Sequence, residues 1–151
     1  MEFKITISAP KEKVWNTLWD DATYRAWTSA FSEGTGSDGS RAETDWKKGN
    51  KVLFVDGTNT GMVSMIAENI PNEFMSIKHL GIVKGGVEDL ESDEARQWAG
   101  ALENYTLRAI NGGTELMISL SGAEIPKEFE DYFRNAWPKA LDKLKDLAES
   151  N

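Results

Sequence analysis

Cysteine is absent from the 151 residues, and histidine occurs once, at position 79. Without thiols there are no disulfides and no thiolate metal sites. A lone imidazole leaves only scattered carboxylates, none in calcium-loop or zinc-type spacing, so neither a metal nor a cofactor is expected. Basic residues are also scarce, 17 against 25 acidic ones, and the net charge of −8 repels phosphate backbones and anionic membrane surfaces. Nucleic acid is therefore not expected as a partner. No apolar run approaches the roughly 18 residues of a membrane span, which argues against membrane insertion. The opening stretch, Met1 to Ile7, alternates polar with apolar residues and lacks the basic start and apolar core of a signal peptide. Together with the missing disulfides this sets a cytoplasmic location as the expectation. Gly34, Gly36 and Gly39 make no phosphate cradle, because no strand directly precedes them and no Gly-Lys-Ser/Thr follows.

What is present belongs to a globular protein. Hydrophobic residues make up 40% of the chain and charged residues 28%, with six Trp, six Phe and three Tyr, enough apolar mass for one core. The length fits one domain over residues 1–151, expected to be a monomer. Met1 to Ile7 reads as a strand. Ala9-Pro10-Lys11-Glu12 opens a short helix, since proline suits a first turn and Glu12 the positive end of the helix dipole. Asp20-Asp21 caps a second short helix carrying Tyr24 and Trp27. Residues 32–40 hold three glycines and no apolar anchor, and read as a surface loop placed to cover a pocket mouth.

Strand-like runs follow at 41–46, 51–55, 60–68 and 73–81, separated by turn signals at Lys48-Gly49-Asn50, Asp56-Gly57 and Pro71-Asn72. The acidic stretch from Lys84 to Ala99 is too long for an ordinary hairpin loop and predicts an excursion with a helical turn near Asp93 to Trp98. Two more strands, 101–110 and 114–121, join at Asn111-Gly112-Gly113, for seven in all. Past Pro126 the period changes. Phe129, Phe133, Ala136, Ala140, Leu144 and Leu147 recur every three or four residues and predict a long amphipathic helix over Lys127 to Ala148, bent near Pro138.

The fold class is thus α+β: an antiparallel sheet whose buried face only the long C-terminal helix can cover. A sheet curved around a helix leaves a hollow. The helix stripe is small at its middle, Ala136 and Ala140, where a solid core wants leucine, and this implies free volume there.

At this point a family resemblance emerges. Ile5-Thr6-Ile7-Ser8-Ala9-Pro10-Lys11-Glu12-Lys13-Val14-Trp15 with Trp27 after it, Gly61-Met62-Val63 before the Pro71 turn, Gly113-Thr114-Glu115-Leu116, and Trp137-Pro138-Lys139-Ala140-Leu141-Asp142-Lys143-Leu144 carry it. These segments resemble the homologues of the heat-shock protein 90 ATPase activator C-terminal domain, within the START-like (SRPBCC, birch-pollen-allergen-like) superfamily. The resemblance implies a helix-grip fold with an apolar cavity between sheet and C-terminal helix. It leaves function broad, since the superfamily includes lipid carriers, polyketide cyclases and aromatases, hydroxylase subunits and hormone receptors.

Alternation along the strands puts Met75, Ile77 and His79 on one face, as it does Tyr105, Leu107 and Ala109, and Leu116, Ile118 and Leu120. These are the expected inner rows. His79 then points into the hollow from an apolar row, where a general base or a ligand hydrogen-bond partner would sit; a histidine bonded to a neighbour is the competing reading. Trp27, Trp46, Trp98 and Trp137 come near loops or the helix edge and are candidates for the cavity or its mouth, with Phe54, Phe129 and Phe133 as wall candidates. Glu43 and Asp45 share a strand face but read as solvated. Three functions follow: a binding protein for a small apolar or aromatic molecule, a cyclase-like enzyme using His79 with an inward carboxylate, and a chaperone-associated module.

Overall fold

The structure, a computed structural model, describes residues 1–32, 41–122 and 127–150. The loop expected at 32–40 falls outside these residues except for Ser32. Strand β1 (Glu2–Ile7) leads into helices α1 (Lys11–Trp19) and α2 (Asp21–Thr28), followed by a 3-10 turn, Ser29–Ser32. Then come β2 (Arg41–Glu43), β3 (Lys51–Val55), β4 (Gly61–Ile70), β5 (Phe74–Lys84), β6 (Val87–Asp89), α3 (Asp93–Trp98), β7 (Leu102–Ile110), β8 (Gly113–Ser121) and α4 (Lys127–Glu149). The strands form one antiparallel sheet in the order β1-β8-β7-β5-β4-β3-β2, with β6 paired to β5. Sheet and long C-terminal helix together make the helix-grip arrangement. Among the described residues no helix is long and apolar enough to cross a membrane.

The described strands number eight, not seven. The addition is β6, which returns along β5 through Gly85-Gly86, the two residues between the paired Lys84 and Val87. Both glycines have positive φ, 57° and 85°, the backbone a two-residue hairpin turn needs. The acidic composition of this excursion had masked that turn signal. Its helical turn is where the sequence puts it, capped by the Ser92 side chain accepting from the Ala95 N–H.

β2 stops at Glu43, short of the expected residue 46. Thr44 Oγ1 accepts from the Trp46 N–H at 3.0 Å and Asp45 Oδ1 from the Lys47 N–H at 2.9 Å, so side chains take over from the ladder and Trp46 turns to φ 62°.

α4 buries Ala136, Trp137, Ala140, Leu141, Leu144 and Ala148 and runs through Pro138 without interruption. This face meets Ile7, Leu116 and Ile118 of the sheet and Val14, Trp15 and Leu18 of α1 in one apolar core. Ala109, expected on an inner row, is exposed: that row ends at the buried Leu107.

Candidate functional site

A cavity of about 420 Å³ lies between the sheet and the helices. α2 and the 3-10 turn contribute Tyr24, Trp27 and Phe31; β3 contributes Phe54; β7 and β8 contribute Glu103, Tyr105 and Leu120; α4 contributes Tyr132, Phe133 and Trp137; and α3 contributes Trp98. Trp137 anchors the wall, with its ring 4.9 Å from Phe31 and 6.2 Å from both Trp27 and Tyr105. Trp27 is fixed by its indole N–H, which donates to the Leu18 carbonyl at 3.1 Å. The Tyr132 hydroxyl donates to the Phe31 carbonyl and ties α4 to the 3-10 turn beside the cavity.

His79 sits on this wall. The pairing of β4 with β5 slips between Val63 and Ser64: Val63 faces Gly81, Ser64 faces His79, and Leu80 is left over. This bulge sets the Ser64 hydroxyl directly opposite the imidazole, with Oγ 2.7 Å from Nδ1. The His79 backbone is clamped on its other side, its N–H donating to Ala101 and its carbonyl accepting from Gly100, both at 2.8 Å. Nε2 lies 3.2 Å from Glu103 Oε1. The other Glu103 oxygen accepts from the Tyr105 hydroxyl. With a carboxylate as acceptor, the neutral ring carries its proton on Nε2, and Nδ1 accepts from Ser64.

The result is a chain from Ser64 through His79 and Glu103 to Tyr105, set into a wall of aromatic and aliphatic residues on which Asp56 and Thr60 also lie. Ser64 is wholly buried behind it, whereas His79, Glu103 and Tyr105 line the cavity. Burial and, secondarily, the Glu103 charge hold the Tyr105 and Tyr24 phenols well above the ordinary tyrosine pKa, so both stay neutral.

Of the residues the sequence proposes for the cavity, Trp27, Phe54, His79, Trp98, Tyr105, Phe133 and Trp137 lie on its wall. The others do not. Met75, Ile77 and Leu107 have the expected inward parity but are buried in the solid core, where α1 closes on β7 and the Trp19 ring stands 4.8 Å from Tyr105. Trp46, turned by its positive φ, packs behind the wall against Trp19 at 4.7 Å and Phe54 at 6.3 Å. Phe129 is 39% exposed and stacks edge-on against Trp98 from outside. Ala136 and Ala140 do not border this cavity. Both are buried, Ala140 within the main apolar core.

Sequence reasoning missed Glu103, Ser64, Tyr24, Phe31 and Tyr132. Glu103 shares the parity of Tyr105, and that signal was available. Tyr24 stands three residues before Trp27 on one helix face. Ser64 becomes a partner only through the bulge, which no local pattern announces. Glu43 and Asp45 are exposed; the Asp45 carboxyl is held below its usual range chiefly by the Lys47 N–H. Among the described residues, no cluster of three or more potential ligands could hold a metal.

The geometry defines a helix-grip domain with a cavity between sheet and helices, rich in aromatic side chains and carrying the linked His79, Glu103 and Tyr105 on its wall. The family described as Activator of Hsp90 ATPase homolog 1-like protein matches residues 8–149, and the chain belongs to that START-like family. No curated protein matches the chain. Its fold is similar to that of protein MLL2253 from Mesorhizobium loti, at 18% identity and TM-score 0.71, covering 97% of this chain and 94% of that one. Protein CV1439 from Chromobacterium violaceum is similar at 20% identity and TM-score 0.71, over 100% and 97%. The Aha1 dimer from Colwellia psychrerythraea is similar at 17% identity and TM-score 0.64, over 99% and 95%.

Proposed function

We propose that this chain is a binding protein for a small apolar or aromatic molecule, held between the sheet and α4. The observation that carries this reading is the cavity itself. Its 420 Å³ falls within the roughly 300–1,000 Å³ of ligand sites, and its lining is rich in aromatic side chains with a few polar groups. Burying about 300 Å² of apolar ligand surface at about 25 cal/mol/Å² yields about 7 kcal/mol before ordering costs, so micromolar affinity is the tightest that this burial supports. A ¹⁵N NMR titration with neutral aromatic probes tests it. The indole signals of Trp27, Trp98 and Trp137 are expected to shift while that of Trp15, in the core, stays in place. Unmoved wall indoles across the series would refute the reading.

A second reading, proton transfer within a bound polycarbonyl substrate, is supported by the His79 and Glu103 pair on the cavity wall. Here the Glu103 carboxylate, held by the His79 Nε2–H, takes a proton from a carbon between two carbonyls and returns it to the enolate oxygen. Its test is turnover of a cyclisable substrate that Glu103→Gln abolishes while substrate still binds. The family's description also names an activator of a chaperone ATPase; a pull-down with that chaperone is the corresponding check.

A further inference from the structure

The cavity's charge is one-sided. Among the described residues lining it, the ionised side chains are the carboxylates of Glu103 and Asp56, and neither lysine nor arginine contributes. The nearby Arg41 guanidinium is committed to the Asp56 carbonyl at 2.9 Å, to Asn59 and to Glu43. Asp56 is kept ionised, its carboxyl held below the usual range chiefly by the Thr58 hydroxyl. At the polar station that His79, Glu103 and Tyr105 form, the donors are already spent. The imidazole donates its Nε2–H to Glu103 and engages Ser64 through Nδ1, and the Tyr105 hydroxyl donates a hydrogen bond to Glu103. What remains there is acceptor capacity: each carboxylate oxygen has more than one lone-pair direction, and the phenol oxygen keeps its own.

From this we infer that the cavity selects ligands whose polar end is an N–H or O–H donor, a phenol or an amine on an aromatic or apolar body, and rejects carboxylates. The inference rests on the cavity being a ligand site and adds its selectivity. An anionic head group would lose its hydration, meet like charge and find no free donor at the station. An ammonium would meet the Glu103 carboxylate and the faces of aromatic rings, both favourable to a cation. A fatty acid is thereby disfavoured wherever its carboxylate lies at this station.

The test is a matched series near neutral pH: naphthalene, naphthol, naphthylmethylamine and naphthoate, titrated calorimetrically into the wild-type chain and Glu103→Gln. Naphthol and the amine are expected to bind at least about tenfold tighter than naphthoate. Glu103→Gln is expected to cut the amine's advantage over naphthoate by about tenfold, read as the ratio of the two affinities in the same variant so that any change in apolar binding cancels. An amine stronger than naphthol marks a cationic ligand, the reverse a neutral donor, and both support selection for donors. Naphthalene binding with naphthoate as tight as naphthol would overturn the inference while leaving the ligand-site reading intact, as would an unchanged amine-to-naphthoate ratio in Glu103→Gln. If no member binds, the ligand-site reading fails and takes the inference with it. Should the variant not fold, the wild-type series decides alone.

Discussion

Replacing Ala140 by leucine asks whether any space remains along the middle of α4. Ala140 has 0% exposure, does not line the cavity, and sits in the core with Leu144, Leu141 and Trp137. If the small side chain left a void, three added carbons would gain about 0.8 kcal/mol each, or about 2.4 kcal/mol. If helix and sheet instead close around the alanine, the added volume forces off-rotamer side chains and backbone shifts, at a cost of about 1–3 kcal/mol. The two cases differ in sign. The structure predicts the second, with Tm lower by about 2–4 °C for each kcal/mol lost in a chain of this size. Urea unfolding followed by tryptophan emission, with thermal circular dichroism, reads both quantities. Leu144→Ala, one turn further along, is the control for the opposite fault and should cost about 2–5 kcal/mol. A rise in Tm for Ala140→Leu would refute the reasoning and extend the cavity along the helix.

Two further outcomes follow from the polar station. Ser64→Ala leaves the buried Nδ1 of His79 without its 2.7 Å partner and should destabilise the fold by about 1–3 kcal/mol in urea unfolding; unchanged stability would show that the hydroxyl is not its partner. Tyr24 and Tyr105 are raised above their ordinary pKa by burial first and the Glu103 charge second. Their neutral forms therefore favour the fold fully below about pH 10, and this contribution is lost as pH climbs toward and through the raised values. Tyrosinate absorbance from these two rings should appear together with unfolding, and ionisation near pH 10 in an intact fold would contradict the burial argument.

The sequence located most elements because each is announced by a local signal. Period two marks β4, β5, β7 and β8, period three to four marks α4, and Pro10 and Asn111-Gly112 mark a helix start and a turn. Errors arose where one local signal hid another. Gly85-Gly86 lies inside an acid-rich stretch, so the β6 hairpin was overlooked. Trp46 continues a strand-like run, yet Thr44 and Asp45 bond to the backbone and end it. For the cavity, parity separated inward from outward residues, and His79 and Tyr105 were assigned accordingly. Parity carries no depth, so Met75, Ile77 and Leu107 had the same signature as wall residues although α1 and its tryptophans bury them.

The sequence by itself determined the α+β class, the long helix, the family and the inward row that holds His79, because all of these are written in residues near one another along the chain. Tertiary structure alone decided the rest. The bulge at Leu80 brings Ser64 to one side of the imidazole, the pairing of β5 with β7 brings Glu103 to the other, and the packing of α4 sets which aromatic rings border open space and which fill the core. Those are contacts between distant segments, and local preference does not fix them: register and close packing are settled only when the whole sheet and its helix come together.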